Sequence, residues 1–199
     1  MLTVINALGK DFVSCCHSLC NEVKKDGFVP DLAIGVLTGG GYIGREMIDG
    51  LNKINPQMLY KEIKLQRGST KAKDKSHIHK ILKRMPYPVL NLLRIIEVEV
   101  LELKSRIIKP IRYGSITLDQ ETKDLLKKGK KNILLIDDCI DTGMTLKIIK
   151  DELIKEFGNA ITIKVAVVTT AHRHPVIKAD YSLYNRILIR FPWANDTKK

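Results

Sequence analysis

Long hydrophobic segments are missing from the 199-residue sequence, in which no stretch approaches the roughly 18 consecutive apolar residues of a membrane-spanning helix. The amino-terminal sequence MLTVINALGK also lacks the basic start and the long apolar run of a signal peptide. We therefore expect a cytoplasmic protein that makes no membrane contact. The composition, with 44% hydrophobic and 28% charged residues, excludes a disordered chain, a coiled coil and collagen.

Cysteine is scarce: the four residues exclude a disulfide scaffold and are expected to stay reduced. Cys15, Cys16 and Cys20 lie close together around His17, a grouping typical of metal sites. On a helix, however, Cys16 and Cys20 share one face while Cys15 points elsewhere, and no second cysteine pair completes a tetrahedral site. Helix packing is therefore favoured over a zinc site.

Acidic residues are outnumbered, with 22 Asp and Glu against 34 Lys and Arg, which gives a net charge of +12. Such a chain attracts polyanions: nucleic acid, an anionic membrane surface or a multiply phosphorylated small molecule. The charge alone does not choose among them. Nine basic residues and only two acidic ones lie within 61–84, a stretch that is either a solvated surface loop or a contact for nucleic acid.

Strand-like segments alternate with helical ones, and this order predicts an α/β fold with a mainly parallel sheet. The predicted helices cover 2–25, 42–54, 89–108, 119–128 and 145–157. The predicted strands cover 32–37, 58–65, 133–136 and 161–168, with one or two more in 181–191. The apolar stripe of the 89–108 helix is expected to pack or to form a dimer contact; it comprises Val89, Leu93, Ile96, Val100, Leu103 and Ile107.

The segment 133–146 carries the strongest chemical signal, because two adjacent acids, Asp137 and Asp138, follow a buried strand. Ligands of open α/β sheets bind beyond the carboxyl ends of the strands. The following Thr142, Gly143 and Thr145 lead into a helix, so backbone N–H groups, hydroxyls and the helix N-terminus can cradle a phosphate monoester. An ordinary helix N-cap would explain one acid and one threonine, but not this whole set.

This segment resembles the phosphoribosyl pyrophosphate motif of type I phosphoribosyltransferases, and its Asp-Thr-Gly form is most like the hypoxanthine-guanine and xanthine-guanine (6-oxopurine) enzymes. Residues 27–41 are similar to the family's pyrophosphate loop. Phe191-Pro192-Trp193 is similar to the end of bacterial xanthine-guanine and archaeal purine enzymes. The resemblance implies one phosphoribosyltransferase type I domain over 1–199. Helices would flank a mainly parallel sheet, with a smaller hood formed by the terminal segments and an inserted basic loop and helix at about 66–116.

The activity implied by the resemblance is Mg²⁺-dependent transfer of ribose 5-phosphate from phosphoribosyl pyrophosphate to a nucleobase, expected to be a purine, as in nucleotide salvage. Asp141 would be the catalytic residue, exchanging a proton with the base. By resemblance, Asp137 and Asp138 would bind the ribose hydroxyls and Mg²⁺. The 5-phosphate would be bound by Thr142, Gly143, Met144 and Thr145. Pyrophosphate would be bound by Thr38, Gly39 and Gly40. The family also implies a homo-oligomer, either a dimer or a tetramer. It further implies a third interpretation of the basic stretch 61–84, namely a mobile loop that closes over the site.

The acceptor side is less well defined. Trp193 would stack on the base by resemblance, although it could instead cap the core. The 6-oxopurine enzymes place a lysine after the strand that is predicted to end at Val168, and no lysine falls in register here. His172 or Arg173 could replace it as a donor. An alternative function is a non-catalytic regulator on the same fold, which senses phosphoribosyl pyrophosphate or a nucleotide and binds nucleic acid through its basic surface.

Overall fold

The computed structural model describes residues 2–65, 85–107, 119–129 and 131–197. Its strands are β1 (Thr3–Asn6), β2 (Leu32–Val36), β3 (Leu59–Ile63), β4 (Asn132–Ile140), β5 (Thr162–Thr170), β6 (Tyr181–Asn185) and β7 (Ile187–Arg190). Its helices are α1 (Lys10–Lys25), α2 (Gly39–Asn52), α3 (Tyr87–Ile107), α4 (Gln120–Lys127) and α5 (Met144–Phe157), and a short 3-10 turn covers Gly158–Ala160.

The central sheet has five strands in the order β3-β2-β4-β5-β6, and every pair in it is parallel. All of β2 is buried, as is the Ile133–Ile136 run of β4, because both faces of these central strands are covered. The register sets Gly35 beside Ile136 and Asp137 beside Val167. The predicted α/β class with a parallel sheet is therefore confirmed.

Two apolar cores lie on the two faces of this sheet. The first includes α1 and α2, and it buries Cys15, Cys16 and Cys20. Among the described residues no group of three metal-ligating side chains could hold a metal ion, and His17 is exposed. Burial of the three cysteines in this core supports the helix packing that the sequence favours. Cys15 is also buried, whereas the sequence predicted that it points away from its neighbours.

A smaller second layer, the hood, consists of the two-stranded parallel sheet β1–β7 together with α3. Its interior holds a fully buried cation, Arg190, which is 1% exposed and pairs with Asp196 at 3.0 Å. Arg94 of α3 also binds Asp196, through two hydrogen bonds of 2.9 and 2.7 Å. Both chain termini and α3 are thus joined, which confirms a hood built from terminal segments and an inserted helix.

Three boundaries differ from the sequence prediction. Residues 3–6 form a strand, not the start of a helix, because they pair with β7 at the other end of the chain. β4 continues to Ile140, so Asp137 and Asp138 lie within the strand and not in a loop after it. α2 begins at Gly39, so the predicted glycine loop forms the first turn of the helix.

The described members of the predicted apolar stripe of α3 stay partly exposed in this chain. Its members Val89, Leu93, Ile96, Val100 and Leu103 are 40–59% exposed. The helix instead turns Leu90 inward and packs Ile95 and Val98 on Leu2, Ala171 and Leu188. A dimer contact through the stripe remains a prediction.

Part of the predicted insert lies outside the described residues, namely 66–84 and 108–116, and with it most of the basic stretch 61–84. The three interpretations of that stretch therefore stay predictions. None of the helices in the described ranges is long and apolar enough to cross a membrane.

Candidate active site

Two adjoining cavities open at the carboxyl end of β4. The smaller, of about 280 Å³, is lined by residues 36–39 and by most of 137–146, and we call it the loop cavity. The larger, of about 560 Å³, lies between α3, the end of β4 and residues 188–196, and we call it the hood cavity. Asp138, Cys139 and Asp141 line both cavities, so these residues form the boundary between them.

The Thr142–Thr145 wall of the loop cavity has the shape that the sequence predicts for a phosphate loop. Gly143 has φ 78°, in the left-handed region that disfavours side chains, and α5 begins at Met144. A Cβ on Gly143 would lie 2.8 Å from Ile177 Cγ2. The backbone N–H of Val176 donates to the Thr142 carbonyl at 2.9 Å and fixes the loop from outside. The Met144 N–H donates weakly to Thr142 Oγ1 at 3.5 Å, and the N–H groups that follow it in the first turn of α5, which a helix leaves without intrahelical partners, can face an anion.

The opposite wall contains Thr38 and the first turn of α2. A Cβ on Gly39 would overlap the carboxylate of Asp138, and one on Gly40 would overlap the carbonyl oxygen of Ile136. Both positions therefore require glycine for close packing on β4. The Leu37–Thr38 peptide bond in this wall is cis. The structure thus brings the predicted pyrophosphate residues and the two acids into one cavity.

Asp137 and Asp138 are half-buried and have no basic side chain paired with them among the described residues. Asp137 Oδ1 accepts the backbone N–H of Asp138 at 2.9 Å. Burial, reinforced by the charge of Asp138, raises the pKa of Asp137 well above its usual value. Burial also raises the pKa of Asp138, although the hydrogen bond from Trp193 opposes the rise. A site of this kind favours a cation or hydroxyl donors.

Asp141 is exposed at the rim shared by the two cavities. Its Oδ1 accepts a weak hydrogen bond from the Cys139 thiol at 3.5 Å. Burial raises the pKa of that thiol well above its usual value, so Cys139 is a neutral donor. The carboxylate of Asp141 can therefore reach a ligand that extends from the loop cavity into the hood cavity.

Trp193 joins the carboxyl terminus to the acids. Its ring stacks on Phe191 and on Tyr42, with centroids 4.8 Å apart in each case, and meets Phe12 edge-on at 5.5 Å. Its indole Nε1 donates to Asp138 Oδ2 at 3.1 Å. Trp193 thus packs on the core and also lines the hood cavity, where its stacking on a base stays a prediction.

The structure does not bring His172 to either cavity. His172 is buried near Glu102 of α3, and neither it nor Arg173 is among the residues that line the cavities. The Arg173 side chain instead pairs with Glu99 at 3.4 Å and with Glu102 at 3.5 Å. Arg173 thus anchors α3, and the prediction that His172 or Arg173 replaces the missing lysine has no support in the geometry.

Sequence reasoning missed the contribution of α3 to the site. One side of this helix lines the hood cavity with Leu90, Leu93, Arg94, Glu97, Val98 and Leu101. These residues also recur at helical spacing in the sequence, but they share only Leu93 with the predicted apolar stripe, which is the more regular of the two. Cys139 and Tyr42 were missed as well, and neither carries a motif of its own.

The acids suit a divalent cation that arrives with a ligand. Among the described residues no group of three His, Cys, Asp or Glu side chains could hold a metal ion by itself. Mg²⁺ is commonly held by one or two carboxylates together with substrate phosphates and water. Asp137 and Asp138 line the loop cavity and have no basic partner among the described residues, so they fit that requirement.

Comparison with known proteins agrees with this geometry. The sequence matches the phosphoribosyl transferase domain over residues 12–197, and the chain therefore belongs to the phosphoribosyl transferase domain family. The match includes every predicted site residue from Thr38 to Trp193. The type I fold predicted from the sequence is thereby confirmed.

Two solved structures share the fold. The purine phosphoribosyltransferase of Pyrococcus horikoshii is 18% identical, with TM-score 0.56, over 96% of this chain and 93% of that one. The xanthine-guanine-hypoxanthine phosphoribosyltransferase of Helicobacter pylori is 16% identical, with TM-score 0.53, over 97% and 93%. A curated relative, the bifunctional protein PyrR of Leuconostoc mesenteroides, is 38% identical over 74 residues, which are 37% of this chain and 41% of the relative. The aligned segment thus spans less than half of that relative.

Proposed function

We propose that this protein transfers ribose 5-phosphate from phosphoribosyl pyrophosphate to a nucleobase, with a purine as the expected acceptor, and releases pyrophosphate. One observation carries the proposal: Asp138 and Asp141 line both the loop cavity and the hood cavity. A ligand with a phosphate at one end and a reactive carbon at the other can therefore meet a second ligand at that boundary.

The donor would occupy the loop cavity. Its 5-phosphate would accept hydrogen bonds from the loop Thr142–Thr145 at the start of α5, where the helix N-terminus also favours negative charge. Its pyrophosphate would lie against Thr38 and Gly39 on the opposite wall. Asp137 and Asp138 would accept hydrogen bonds from the ribose hydroxyls. Both ends of the donor are then held by fixed backbone, which positions the anomeric carbon.

Asp137 and Asp138 would also hold Mg²⁺ together with the donor's phosphates. The bound metal would neutralise charge that develops on the departing pyrophosphate. The positive charge of the metal would lower the pKa of both carboxyl groups and so oppose the increase in pKa that burial causes.

Asp141 would act on the acceptor. A purine that binds in the hood cavity presents a ring nitrogen to the boundary, and the Asp141 carboxylate can accept or return its proton as the new bond to carbon forms. The thiol of Cys139, by donating to Asp141 Oδ1, restrains the carboxylate toward that boundary. Trp193 and Phe191 supply apolar ring surface in the same cavity.

A homo-oligomer is a further part of the proposal. The stripe of α3 that is exposed in one chain, through Ile96, Val100 and Leu103, is the kind of apolar surface that protein contacts cover. Light scattering on the purified protein distinguishes a monomer from a dimer or tetramer.

A regulator that binds nucleic acid is the second candidate, and the net charge of +12 favours it. A gel-shift titration with random nucleic acid at several salt concentrations tests it, since phosphate contacts make the affinity fall steeply as salt rises. Binding of that kind, with no turnover of any base, would favour the regulator.

The activity itself is tested by base-dependent release of pyrophosphate from phosphoribosyl pyrophosphate in the presence of Mg²⁺. The proposal expects release with at least one nucleobase and its loss in Asp141→Asn. No release with any base, in a protein that is folded by circular dichroism, would reject it.

A further inference from the structure

Exposed apolar side chains are concentrated on one helix. Among the described residues, eleven large hydrophobic side chains are at least 40% exposed, and seven of them lie on α3: Val89, Leu92, Leu93, Ile96, Val100, Leu101 and Leu103. The other side of this helix packs inside the hood, where Leu90 is 2% exposed. α3 therefore has a second apolar side, which the described part of the chain leaves in contact with solvent.

The spacing of the apolar stripe indicates what covers it. Its members follow one another at alternating steps of four and three residues, from Val89 to Ile107. This 3.5-residue repeat is typical of coiled coils, in which a second helix with an apolar seam of the same repeat covers the first. Each of the other described helices has at most one large hydrophobic side chain that is so exposed. The matching seam is therefore the α3 of a second copy of the chain.

The surface of the apolar stripe is large enough for such a contact. Its described members, together with Leu92, expose on the order of 500 Å², a large part of the roughly 800 Å² that each partner buries in a stable complex. Glu97 and Lys104 are exposed beside the stripe and form no ion pair within the described residues. Opposite charges on one flank let this surface complement itself about a two-fold axis when the two helices run antiparallel.

The apolar stripe borders the hood cavity. Leu93 belongs to the stripe and also lines that cavity, as does Leu101 on the adjoining side of α3. Both side chains are more than 40% exposed, so the cavity is open to solvent along this helix. A ligand ring on these leucines would keep part of its apolar face in water within a single chain. A second helix on the stripe would lie along that opening and exclude water from it.

We propose that two copies of this chain pair through the apolar stripes of their α3 helices, and that the partner's helix forms the outer wall of the hood cavity. The contact between the copies follows from the surface of α3 alone, whereas the role of the wall in acceptor binding rests on the proposed function. The acceptor site is then complete only in the dimer, because one chain supplies the leucines and the other covers them.

Analytical ultracentrifugation tests the contact. We expect wild-type protein at micromolar concentration to be at least dimeric. Ile96→Glu should halve the mass of the assembly, because a charge in an apolar seam would lose its hydration, and Val100→Glu should do the same. Ile154→Glu on α5 is the matched control, since Ile154 is 41% exposed against 49% for Ile96 and lies outside the stripe. All three side chains are exposed, so circular dichroism should show the wild-type fold in each variant.

Two results would overturn the contact. One is a monomeric wild type, which is also the result expected if a segment of the same chain covers the stripe. The other is a wild-type mass that persists in both Ile96→Glu and Val100→Glu.

Kinetics test the wall. Ile96 is not among the residues that line either cavity, so its replacement acts on the site only through the partner. In Ile96→Glu the kcat/KM for the base should fall at least tenfold, while the Kd for phosphoribosyl pyrophosphate, which is bound in the loop cavity, stays unchanged. Ile154→Glu should keep the wild-type kcat/KM. The specific activity of wild-type protein should also fall when dilution dissociates the dimer.

The outcomes separate this inference from the proposed function. An unchanged kcat/KM in a dissociated Ile96→Glu overturns the wall while phosphoribosyl transfer stands. No turnover of any base by the wild type rejects the wall and the proposed function together, whereas the measured mass still decides the contact between the copies.

Discussion

The indole Nε1 of Trp193 donates a hydrogen bond to Asp138 Oδ2 at 3.1 Å, which ties the carboxyl-terminal segment directly to an acid of the loop cavity. The same Trp193 ring stacks on Tyr42 of α2. One side chain therefore connects the hood, the first turns of α2 and the end of β4. Asp138 in turn lies against Gly39, where any Cβ would overlap its carboxylate. The donor site and the hood are thus structurally coupled through Asp138.

Replacing Asp141 with asparagine should reduce turnover by about 10² to 10⁴-fold, the usual contribution of a positioned acid or base. The amide keeps the shape but cannot take up the proton. Affinity for phosphoribosyl pyrophosphate, measured by calorimetry, should change little, because Asp141 lies at the rim of the loop cavity. Asp151→Asn on the exposed face of α5 is the control and should behave as wild type. Unchanged turnover in Asp141→Asn would remove Asp141 from this role.

Replacing Asp138 with asparagine should weaken phosphoribosyl pyrophosphate binding by roughly tenfold to a hundredfold, as expected for lost hydrogen bonds to a charged group. The fold should persist, since the amide oxygen can still accept from Trp193 Nε1. A calorimetric titration with Mg²⁺ present measures the effect. Wild-type affinity in this variant would show that Asp138 does not contact the donor.

Replacing Gly39 with alanine should displace the Asp138 carboxylate, lower the free energy of unfolding by about 1–3 kcal/mol and impair donor binding. Gly50→Ala in the same helix is the comparison variant, because its Cβ would meet Cys20, with Sγ at 2.6 Å and Cβ at 3.5 Å, and would disturb the core without touching Asp138. Urea denaturation and donor titration compare the two variants. Equal stability and equal donor affinity in both would contradict the close packing of α2 on Asp138.

Replacing Asp196 with asparagine should destabilise the hood by about 3–5 kcal/mol at pH 7, the usual cost of breaking a buried ion pair, since Arg190 is 1% exposed. Burial alone would raise the pKa of Asp196, but hydrogen bonds and charges from Arg94 and Arg190 outweigh it and lower the pKa. The stabilisation is then complete above the carboxyl's ordinary pKa of about 3.9 and is lost as the pH falls through the lower folded-state value.

Urea denaturation at several pH values checks this dependence. The difference between wild type and Asp196→Asn should be full near pH 7 and should shrink below about pH 4. Asp151→Asn, which breaks an exposed pair with Lys147, should cost no more than about 0.5 kcal/mol. A difference for Asp196→Asn that does not vary with pH would mean that its charge does not support the hood.

The walls of the loop cavity could be predicted from the sequence because the residues of 137–145 are local. Residues 137–145 supply the acids, the glycine and the threonines in one continuous segment. The buried strand segment before them places this segment at the carboxyl end of the sheet. The prediction that these acids lie in a loop was wrong, since pairing of Cys139 with Thr169 and of Ile140 with Thr170 extends β4 past them. Only the neighbouring strand β5 determines that extension.

The acceptor side could not be predicted in the same way, because it depends on which side of α3 turns inward. Apolar residues occur on more than one side of this helix, and the most regular stripe is the exposed one. Ion pairs with residues far along the chain determine which side of α3 faces inward. Asp196 binds Arg94, while Arg173 and Arg186 bind Glu99 and Glu102. His172, which follows β5, does not line the hood cavity.

The most direct test is mass-spectrometric detection of a nucleoside 5-phosphate formed by purified protein from Mg²⁺, phosphoribosyl pyrophosphate and single nucleobases, with Asp141→Asn as the control. We predict that at least one base yields its ribosyl 5-phosphate with wild-type protein, and that the yield falls by two orders of magnitude or more in the variant. Absence of product with every base, from folded protein that still binds the donor, would contradict phosphoribosyl transfer as the function of this site.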